Sequence, residues 1–343
     1  MKAILQPGGK ARASLTRRLL GAMAGLAMLS ASGAALAAQE VKLNEVLRSL
    51  FYAPQYVALK IGAFEQEGLS VKEPKTTWGT QATITEIISG GSNIALLGPE
   101  AAAMTQGADP SRRLVNFARL TDKDGSFIIS KKPMPDFKIS DLKGKTIVTA
   151  GAGSSPYLVL VELIKKAGLD PKKDVNIRNI PISANIIPSF LEGGADFAQA
   201  FEPAVAKAVA EAGAHRVASV GVLMGPLPYT AYMAPASYIE KNPAVIQSFT
   251  NAIQKGLDWT NQHSADEVAE AIAPYFKDLP LATIKTVIAE YKKAGVWPKD
   301  VAISRDGMKR MTDLMVDGGV IKESVAYEKV VNPGFAEKTL KGK

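Results

Sequence analysis

Two sequence motifs each occur twice in this chain, in the same order and about 100 residues apart. The segment FYAPQYVALKIGAFEQEGL at 51–69 corresponds to the strand, Gly/Ser loop and helix pattern at 144–169. The segment GGSNIALLGPEAAA at 90–103 returns as GGADFAQAFEPAVA at 193–206, an offset of 103 residues (193 − 90). Motifs that repeat in order at nearly one offset indicate a duplicated structural unit. The repeat therefore predicts two similar α/β lobes with a cleft between them.

The first 38 residues have the pattern of a secretory signal peptide. Five basic residues precede or border an apolar run from Leu19 to Leu29, and small residues follow as far as Ala38. This run is too short to span a bilayer, so the segment is predicted to be removed and the mature chain to be exported. Because the chain also has no cysteine that could carry a lipid anchor, the predicted location is the periplasm.

Charge and cysteine content narrow the classes of function. The formal charge of +8 includes five positive charges from residues 1–38, which contain no acidic residue, so 8 − 5 = +3 remains for the mature chain. Its Lys and Arg residues are scattered rather than clustered with aromatic residues, which argues against a nucleic-acid partner. Without any cysteine, the sequence excludes disulfides and thiolate metal sites.

The length of 343 residues is enough for two hydrophobic cores of moderate size. Proline-containing linkers at 131–135 and 225–228 predict two crossovers between the lobes. Helices predicted from Pro243 onward would brace the first lobe. The predicted division is a signal peptide at 1–38, a discontinuous first lobe at 39–131 and 226–343, and a second lobe at 132–225.

Several segments together resemble one protein family. They read RSLFYAPQYVALKIGAFEQEGLSV, DLKGKTIV and FLEGGADFAQAFEP, and the signal peptide precedes them. With these segments the chain resembles the substrate-binding proteins of bacterial ABC transporters, in the branch that binds nitrate, sulfonates, taurine and thiamine pyrimidine precursors. The resemblance implies a type II periplasmic-binding-protein fold, in which two α/β lobes joined by two hinge crossovers close on a ligand in the cleft. It leaves the ligand open, because one fold hosts many functions.

Loops that follow strands supply the candidate ligand site, because ligands of open α/β sheets bind outside the carboxyl ends of the strands. In the second lobe, Gly153, Ser154 and Ser155 directly precede a helix that is predicted to start at Pro156. Free backbone N–H groups at such a helix start bind an anion or a carbonyl oxygen. The alternative is a structural role, with Ser155 as an N-cap and the glycine in a tight turn.

Aromatic residues near the first copy of the repeat are candidates for stacking on a planar ligand. Phe51 and Tyr52 precede the first helix, and Trp78 and Gly79 precede the next one. Packing inside the protein is the alternative for each aromatic ring.

Two glutamates occupy equivalent turns of the repeat, Glu100 in GPE and Glu202 in FEP. If they face the cleft, they favour a ligand with N–H donors or a positive charge. A carboxylate in the first turn of a helix is also stabilised by the helix dipole without any ligand. Arg48 and Arg119 would pair with these carboxylates or hold an acidic group of the ligand. Gly98, Asn185 and Tyr229 complete the candidate site, because they follow strands or the second crossover.

Catalytic motifs are absent from the sequence. His215 and His263 are its only histidines, and both lie outside the repeated loops. No zinc-protease, nucleophile-elbow or phosphate-loop pattern occurs. The sequence therefore predicts a binding protein with no catalytic residue, no cofactor and no metal.

The predicted function is the capture of a small organic solute by a monomer whose two lobes close on it, followed by delivery to an ABC permease with its cytoplasmic ATPase. The expected ligand is a planar nitrogen-containing compound, or a sulfonate or carboxylate. The alternative is an exported sensor or enzyme on the same fold. A sensor would present its closed form to a receptor, and an enzyme would alter its ligand.

Overall fold

Two five-stranded sheets form the framework of the computed structural model, which describes residues 38–342. Apart from Ala38, the predicted signal peptide lies outside the described residues. A separate pair of short parallel strands, β1 (Gln39–Val41) and β3 (Leu69–Val71), joins the start of the described chain to the segment that follows the first helices.

The first sheet has three parallel strands, then a strand antiparallel to both of its neighbours, and a last strand that runs in the direction of the first three. In pairing order they are β4 (Lys75–Thr76), β2 (Leu43–Glu45), β5 (Ile94–Leu97), β12 (Thr230–Pro235) and β6 (Leu114–Thr121). β2 runs parallel to β4 and β5, whereas β12 runs antiparallel to β5 and β6. The register places Leu43 beside Ile94, and Ala95 beside Met233.

The second sheet repeats this arrangement. In pairing order its strands are β9 (Asn176–Ile180), β8 (Thr146–Ala150), β10 (Phe197–Ala200), β7 (Phe127–Ser130) and β11 (His215–Ser219). Three parallel strands are again followed by a strand that is antiparallel to both of its neighbours. The central strands β5 and β10 start 103 residues apart (197 − 94). The two sheets therefore share one topology, and the mixed α/β architecture confirms the predicted fold class.

The chain passes between the sheets twice. The first passage, at 122–126, joins β6 to β7, so β7 belongs to the second sheet and the proline-containing segment 131–135 comes after it. The second passage leads from β11 through residues 220–229 to β12 in the first sheet. Sequence places the first crossover later than the structure does, because an apolar run such as FIIS at 127–130 fits the interior of either sheet. The lobe boundaries themselves stay a prediction.

Continuous burial explains why the central segments form strands. All four residues of β5 and all four of β10 are buried, as expected for strands covered on both faces. The one amide among them, Gln199, has partners on both sides. Its Oε1 accepts a 2.7 Å hydrogen bond from the Thr149 hydroxyl, and its Nε2 donates to Ser126 Oγ at 3.0 Å.

Helices follow most of the parallel strands, and a single 3-10 turn at Leu50–Tyr52 leads into the first of them. The helices associated with the sheets are α1 (Ala53–Lys60), α2 (Ala63–Gln66), α3 (Thr80–Ile88), α4 (Glu100–Met104), α5 (Ser155–Lys166), α6 (Ile186–Leu191), α7 (Ala204–Ala212) and α8 (Val220–Met224). The C-terminal helices are α9 (Ala236–Lys241), α10 (Pro243–Gln262), α11 (Ala265–Ile272), α12 (Leu281–Ala294), α13 (Arg305–Asp317), α14 (Tyr327–Val330) and α15 (Gly334–Lys341). Within residues 38–342, no helix combines the length and the apolar character needed to cross a membrane.

The long helix α10 packs one apolar face against α1 and α15. Ile246, Phe249, Ile253 and Leu257 form this face, at the spacing of one side of a helix, and all four are fully buried. Gly256 permits the close approach to α1, because a Cβ at this position would lie 2.3 Å from the main-chain oxygen of Pro54. Helix α13 contacts both α4 and α5, so the C-terminal segment packs on helices of both sheets.

Candidate functional site

Residues that follow β2, β5, β8 and β10 line one small cavity, which we call the inner cavity. Its volume is about 40 Å³, enough for a single small group. The carboxyl ends of these four strands lie at the inner cavity, and open α/β sheets bind ligands at the carboxyl ends of their strands. The lining residues are Val46, Leu47, Tyr52, Thr80, Gly98, Glu100, Ala150, Ser154, Ser155, Pro156, Ser183, Ile186, Phe201, Tyr229 and Thr230.

A larger outer cavity adjoins the inner one, since Leu47, Ser183, Ile186 and Phe201 line both. Its volume of about 370 Å³ lies in the range of small-molecule sites. The remaining residues that line it are Arg48, Trp78, Ala184, Ile187, Ala200, Glu202, Pro203, Ala204, Lys207, Tyr275, Phe276, Lys277, Asp278 and Leu279.

The wall of the outer cavity combines aromatic rings with basic side chains. Trp78 remains 39% exposed, while Phe276 is buried and Tyr275 is partly buried. Lys207 and Lys277 are exposed at the same cavity. Such a surface suits a ligand with a planar or apolar body, because aromatic rings bury much area at low conformational cost.

Two hydrogen bonds at this site join Glu100, which follows the first sheet's β5, to Ser155, which follows the second sheet's β8. Glu100 Oε1 accepts a 2.8 Å hydrogen bond from the Ser155 N–H, and Oε2 accepts one from the Ser155 hydroxyl. Both residues are almost completely buried. Burial raises the pKa of the Glu100 carboxyl, and the hydrogen bonds from Ser155 oppose that rise.

Two further contacts cross between the sheets at the rim. The Ser183 N–H donates a 2.9 Å hydrogen bond to the Trp78 main-chain oxygen. Gly79 lies so close to the opposite segment that a Cβ there would be 2.5 Å from the Pro181 main-chain oxygen. Deeper in the cleft, the Ser49 hydroxyl donates to the main-chain oxygen of Glu202 at 2.5 Å.

Arg48 reaches the outer cavity but is held by its own side of the cleft. Its Nε donates to Glu45 Oε1 at 3.1 Å, its Nη1 pairs with Glu73, and its Nη2 donates to the Pro74 main-chain oxygen at 3.1 Å. Glu45 also accepts from the Tyr56 hydroxyl, and its pKa is raised by burial. Arg48 is therefore an ion-pair partner of Glu45, a buried carboxylate that the sequence analysis did not single out.

The Glu202 carboxylate is fully buried and already has three donors. Arg216 donates from Nε and Nη2 to Oε1, and the Ala206 N–H donates to Oε2 at 2.8 Å. Burial raises the pKa of this carboxyl, and the Arg216 charge opposes the rise. The other proposed partner, Arg119, pairs instead with Asp122 and Asp300.

Tyr229 lines the inner cavity and has a buried hydroxyl. The side chain is 2% exposed, and its hydroxyl has no hydrogen-bond partner among the described residues. Burial raises the pKa of Tyr229, and the nearby Asp124 carboxylate raises it further. Asp124 itself belongs to the first passage between the sheets, and burial raises its pKa to about 6.

Phe51 lines neither cavity. Its ring packs against Tyr52, Phe201, Tyr229 and Tyr291 at centroid distances of 5.5–6.0 Å, inside the core. The main-chain oxygen of Phe51 accepts a 2.8 Å hydrogen bond from Trp297 Nε1, which fixes the 3-10 turn to the C-terminal segment.

The structure thus divides the predicted site residues into three groups. Tyr52, Gly98, Glu100, Ser154, Ser155 and Tyr229 line the inner cavity, and Arg48, Trp78 and Glu202 line the outer one. Phe51, Gly79, Gly153 and Asn185 line neither cavity, and neither do His215 and His263.

Gly153 and Asn185 occupy turns. Gly153 has a φ of +85°, a backbone conformation that favours glycine, and it faces the side chain of Val320. Asn185 is exposed at the start of α6 and makes no side-chain cap there. Sequence reasoning missed many of the cavity residues, including Ile186, Phe201, Lys207, Tyr275 and Phe276. Phe201 carried a signal, because it lies in the repeated FEP turn beside Glu202.

Two sheets of one topology, with a cleft between their strand ends, have the fold of the periplasmic binding proteins. Residues 51–267, more than half of the chain, match the model of the family described as NMT1/THI5 like, and the chain belongs to this family. A relative from Bacillus subtilis (strain 168), named "Putative binding protein YtlA", is 36% identical over 300 residues, which cover 87% of this chain and 89% of the relative.

Solved structures share the fold at low sequence identity. The periplasmic nitrate-binding protein NrtA from Synechocystis PCC 6803 has a TM-score of 0.75 at 15% identity, covering 89% of each chain. The ligand-binding component of an ABC-type import system from Staphylococcus aureus, solved with zinc bound, has a TM-score of 0.71 at 15% identity, covering 88% of this chain and 99% of that one. The desulfurization enzyme DSZB has a TM-score of 0.61 at 12% identity, covering 89% and 99%, so the fold is also found in an enzyme.

Proposed function

We propose that this protein is the periplasmic solute-binding component of an ABC importer. It captures a small organic molecule in the joined inner and outer cavities and delivers it to a permease with a cytoplasmic ATPase. The observation that carries the proposal is the convergence of four strand ends on one cleft, where contacts from both sheets meet. Membership of a family with relatives named as binding proteins supports the same function.

The proposed mechanism is closure of the two sheets, with their helices, about the passages at 122–126 and 220–229. The ligand body lies in the outer cavity against Trp78 and Phe276, and a polar group of the ligand reaches the inner cavity. Closure brings together the Trp78–Ser183 and Glu100–Ser155 contacts, so ligand binding and closure reinforce each other. Solute release then requires that the permease favours the open form.

The proposed ligand carries a planar or apolar body with one polar end. The rings of the outer cavity would stack on such a body, each aromatic contact contributing about 1 kcal/mol beyond the area it buries. Micromolar affinity needs about 8 kcal/mol, so apolar burial and the polar contacts must act together.

Native mass spectrometry of the mature chain, purified from its own host, tests this function. We expect a bound solute of unchanged mass, a thermal shift when it is added back, and a smaller radius of gyration by X-ray scattering. A ligand at 100 times its dissociation constant stabilises the folded state by about 2.7 kcal/mol. A solute that is recovered chemically altered would favour the enzyme alternative, and a bound solute that the host still imports without this protein would favour a sensor.

A further inference from the structure

The start of α5 already holds a carboxylate from the opposite sheet. Glu100 follows β5, whereas Ser155 follows β8, and the Ser155 N–H and hydroxyl both donate to the Glu100 carboxylate. A helix start attracts negative charge because of its free N–H groups and the helix dipole. The position at which an anionic ligand would bind is therefore occupied by a negative group of the protein itself.

Gly98 makes room for this arrangement. A Cβ at Gly98 would lie 2.1 Å from Glu100 Oε2 and 2.4 Å from Oε1. A side chain there would push the carboxylate away from Ser155. The absence of a side chain at Gly98 therefore leaves space for the Glu100 carboxylate against the turn between β5 and α4.

Glu100 has no cationic partner in the part of the chain that the structure describes. It is 1% exposed, and its contacts are the hydrogen bonds from Ser155 and from the backbone. Two oxygen atoms offer about four acceptor positions, so Glu100 can accept further hydrogen bonds. Beside it, Tyr229 lines the same inner cavity, and its buried hydroxyl lies near the Asp124 carboxylate. The inner cavity therefore offers a carboxylate with unused acceptor positions to a ligand.

We infer that Glu100 determines ligand specificity: it excludes oxyanions from the start of α5 and selects a ligand that presents N–H donors or a positive charge to the inner cavity. This inference rests on the proposed function, because it concerns the same cleft. A buried carboxylate without a counter-ion repels a second anion and is compensated by a donor. Specificity of this kind comes from the repulsive contact as much as from the attractive one.

Two probes of one shape and opposite charge test the inference. Benzamidine presents a planar cation with N–H donors, and benzoate presents a carboxylate on the same ring. The mature chain should bind benzamidine at least tenfold more tightly than benzoate by calorimetry, at constant ionic strength set with chloride. Replacement Glu100→Ala should reverse this preference, since it frees the Ser155 donors and removes the repelling charge.

Controls separate charge from folding. Glu100→Gln keeps an acceptor for the Ser155 N–H but lacks the charge, so it should raise benzoate affinity even where Glu100→Ala fails to fold. Glu192→Ala removes an exposed carboxylate after α6 and should leave both affinities unchanged. The double replacement Glu100→Ala with Ser155→Ala should lose part of the gain for benzoate.

Each outcome decides the inference. It is overturned if the unmodified chain binds benzoate as tightly as benzamidine, if it binds neither probe, or if the folded Glu100 variants gain nothing for benzoate. A separate measurement tests the proposed function: it fails if native mass spectrometry of the protein purified from its host detects no bound solute. A natural solute whose only polar group is an oxyanion would contradict the inference but would still support the proposed function.

Discussion

Arg216 donates a 3.0 Å hydrogen bond from Nε to Oε1 of Glu202, and so ties β11 to the turn that follows β10. The Arg216 side chain is 26% exposed, whereas the Glu202 side chain is fully buried. The pair explains how a buried carboxylate persists beside the outer cavity: it has a cation and a backbone N–H as partners. A ligand at Glu202 would have to share an oxygen atom that Arg216 or the Ala206 N–H already uses.

Replacement Glu202→Gln should therefore act mainly on stability. It keeps the size of the side chain but removes the charge that Arg216 needs. We expect the free energy of unfolding in urea to fall by about 1.5–3 kcal/mol, as for a lost hydrogen bond to a charged group. A double-mutant cycle with Arg216→Gln should give a coupling of similar size. Unchanged stability together with weaker binding of an amine ligand would instead assign Glu202 to the ligand, as the sequence suggested.

The sequence predicted the duplicated framework because the repeat records local structure. A strand, a glycine turn and a helix leave their pattern in neighbouring residues, so β5 and β10 could be aligned at one offset. The partner of Glu202 leaves no such pattern. Arg216 lies fourteen positions later on another strand, and only the pairing of β11 with β7 brings it to the carboxylate. The prediction that Phe51 lies in the cleft failed for the same reason, because its surroundings come from distant parts of the chain. Trp297 of the C-terminal segment donates a hydrogen bond to the Phe51 main-chain oxygen, and the Phe51 ring lies in the core.

Asp124 should make stability depend on pH between about pH 4 and pH 6. Burial raises its pKa from the ordinary 3.8 to about 6 in the folded protein. The folded state therefore holds this proton more tightly than the unfolded state. The stabilisation is fully present below about pH 4 and is lost as the pH rises through about 6. A shift of roughly two units corresponds to about 3 kcal/mol.

The difference between two unfolding profiles isolates this effect. Other carboxyl groups also titrate in this range, including Glu45 and Glu100 with raised pKa values and Asp109 with a lowered one. Their contributions cancel when the urea unfolding of Asp124→Asn is subtracted from that of the unmodified chain. The difference should change by a few kcal/mol across this window. A constant difference from pH 4 to pH 7 would mean that Asp124 titrates normally.

Gly79→Ala should hinder closure of the cleft. The added Cβ would lie 2.5 Å from the Pro181 main-chain oxygen, and a backbone atom cannot move aside as a side chain can. Overpacking of this kind costs about 1–3 kcal/mol, so ligand affinity should fall by roughly tenfold or more. X-ray scattering of the liganded protein should give a larger radius of gyration than for the unmodified chain.

Gly91→Ala provides the matched glycine control. The three atoms nearest to its added Cβ belong to the Glu86 carboxylate, the far end of a flexible side chain, and neither residue lines the inner or the outer cavity. We expect unchanged ligand affinity and an unchanged radius of gyration. Equal effects of the two replacements would show that Gly79 matters for general stability and not for closure.

Trp78 combines an unfavourable backbone conformation with a place at the cavity wall. Its φ of +59° lies in the left-handed region, which costs a residue with a side chain about 1–2 kcal/mol, and its ring lines the outer cavity. Such conformations persist at sites where the side chain has a function. Trp78→Gly and Trp78→Ala both remove the ring, so both should weaken ligand binding by roughly tenfold. Only the glycine relieves the backbone, and we therefore expect Trp78→Gly to be more stable than Trp78→Ala by about 1 kcal/mol. Urea unfolding of the two variants tests the backbone strain at Trp78, and calorimetry tests the contact of its ring with the ligand. Equal stabilities would show that the left-handed conformation at Trp78 costs no stability. Unchanged affinities would show that Trp78 does not contact the ligand.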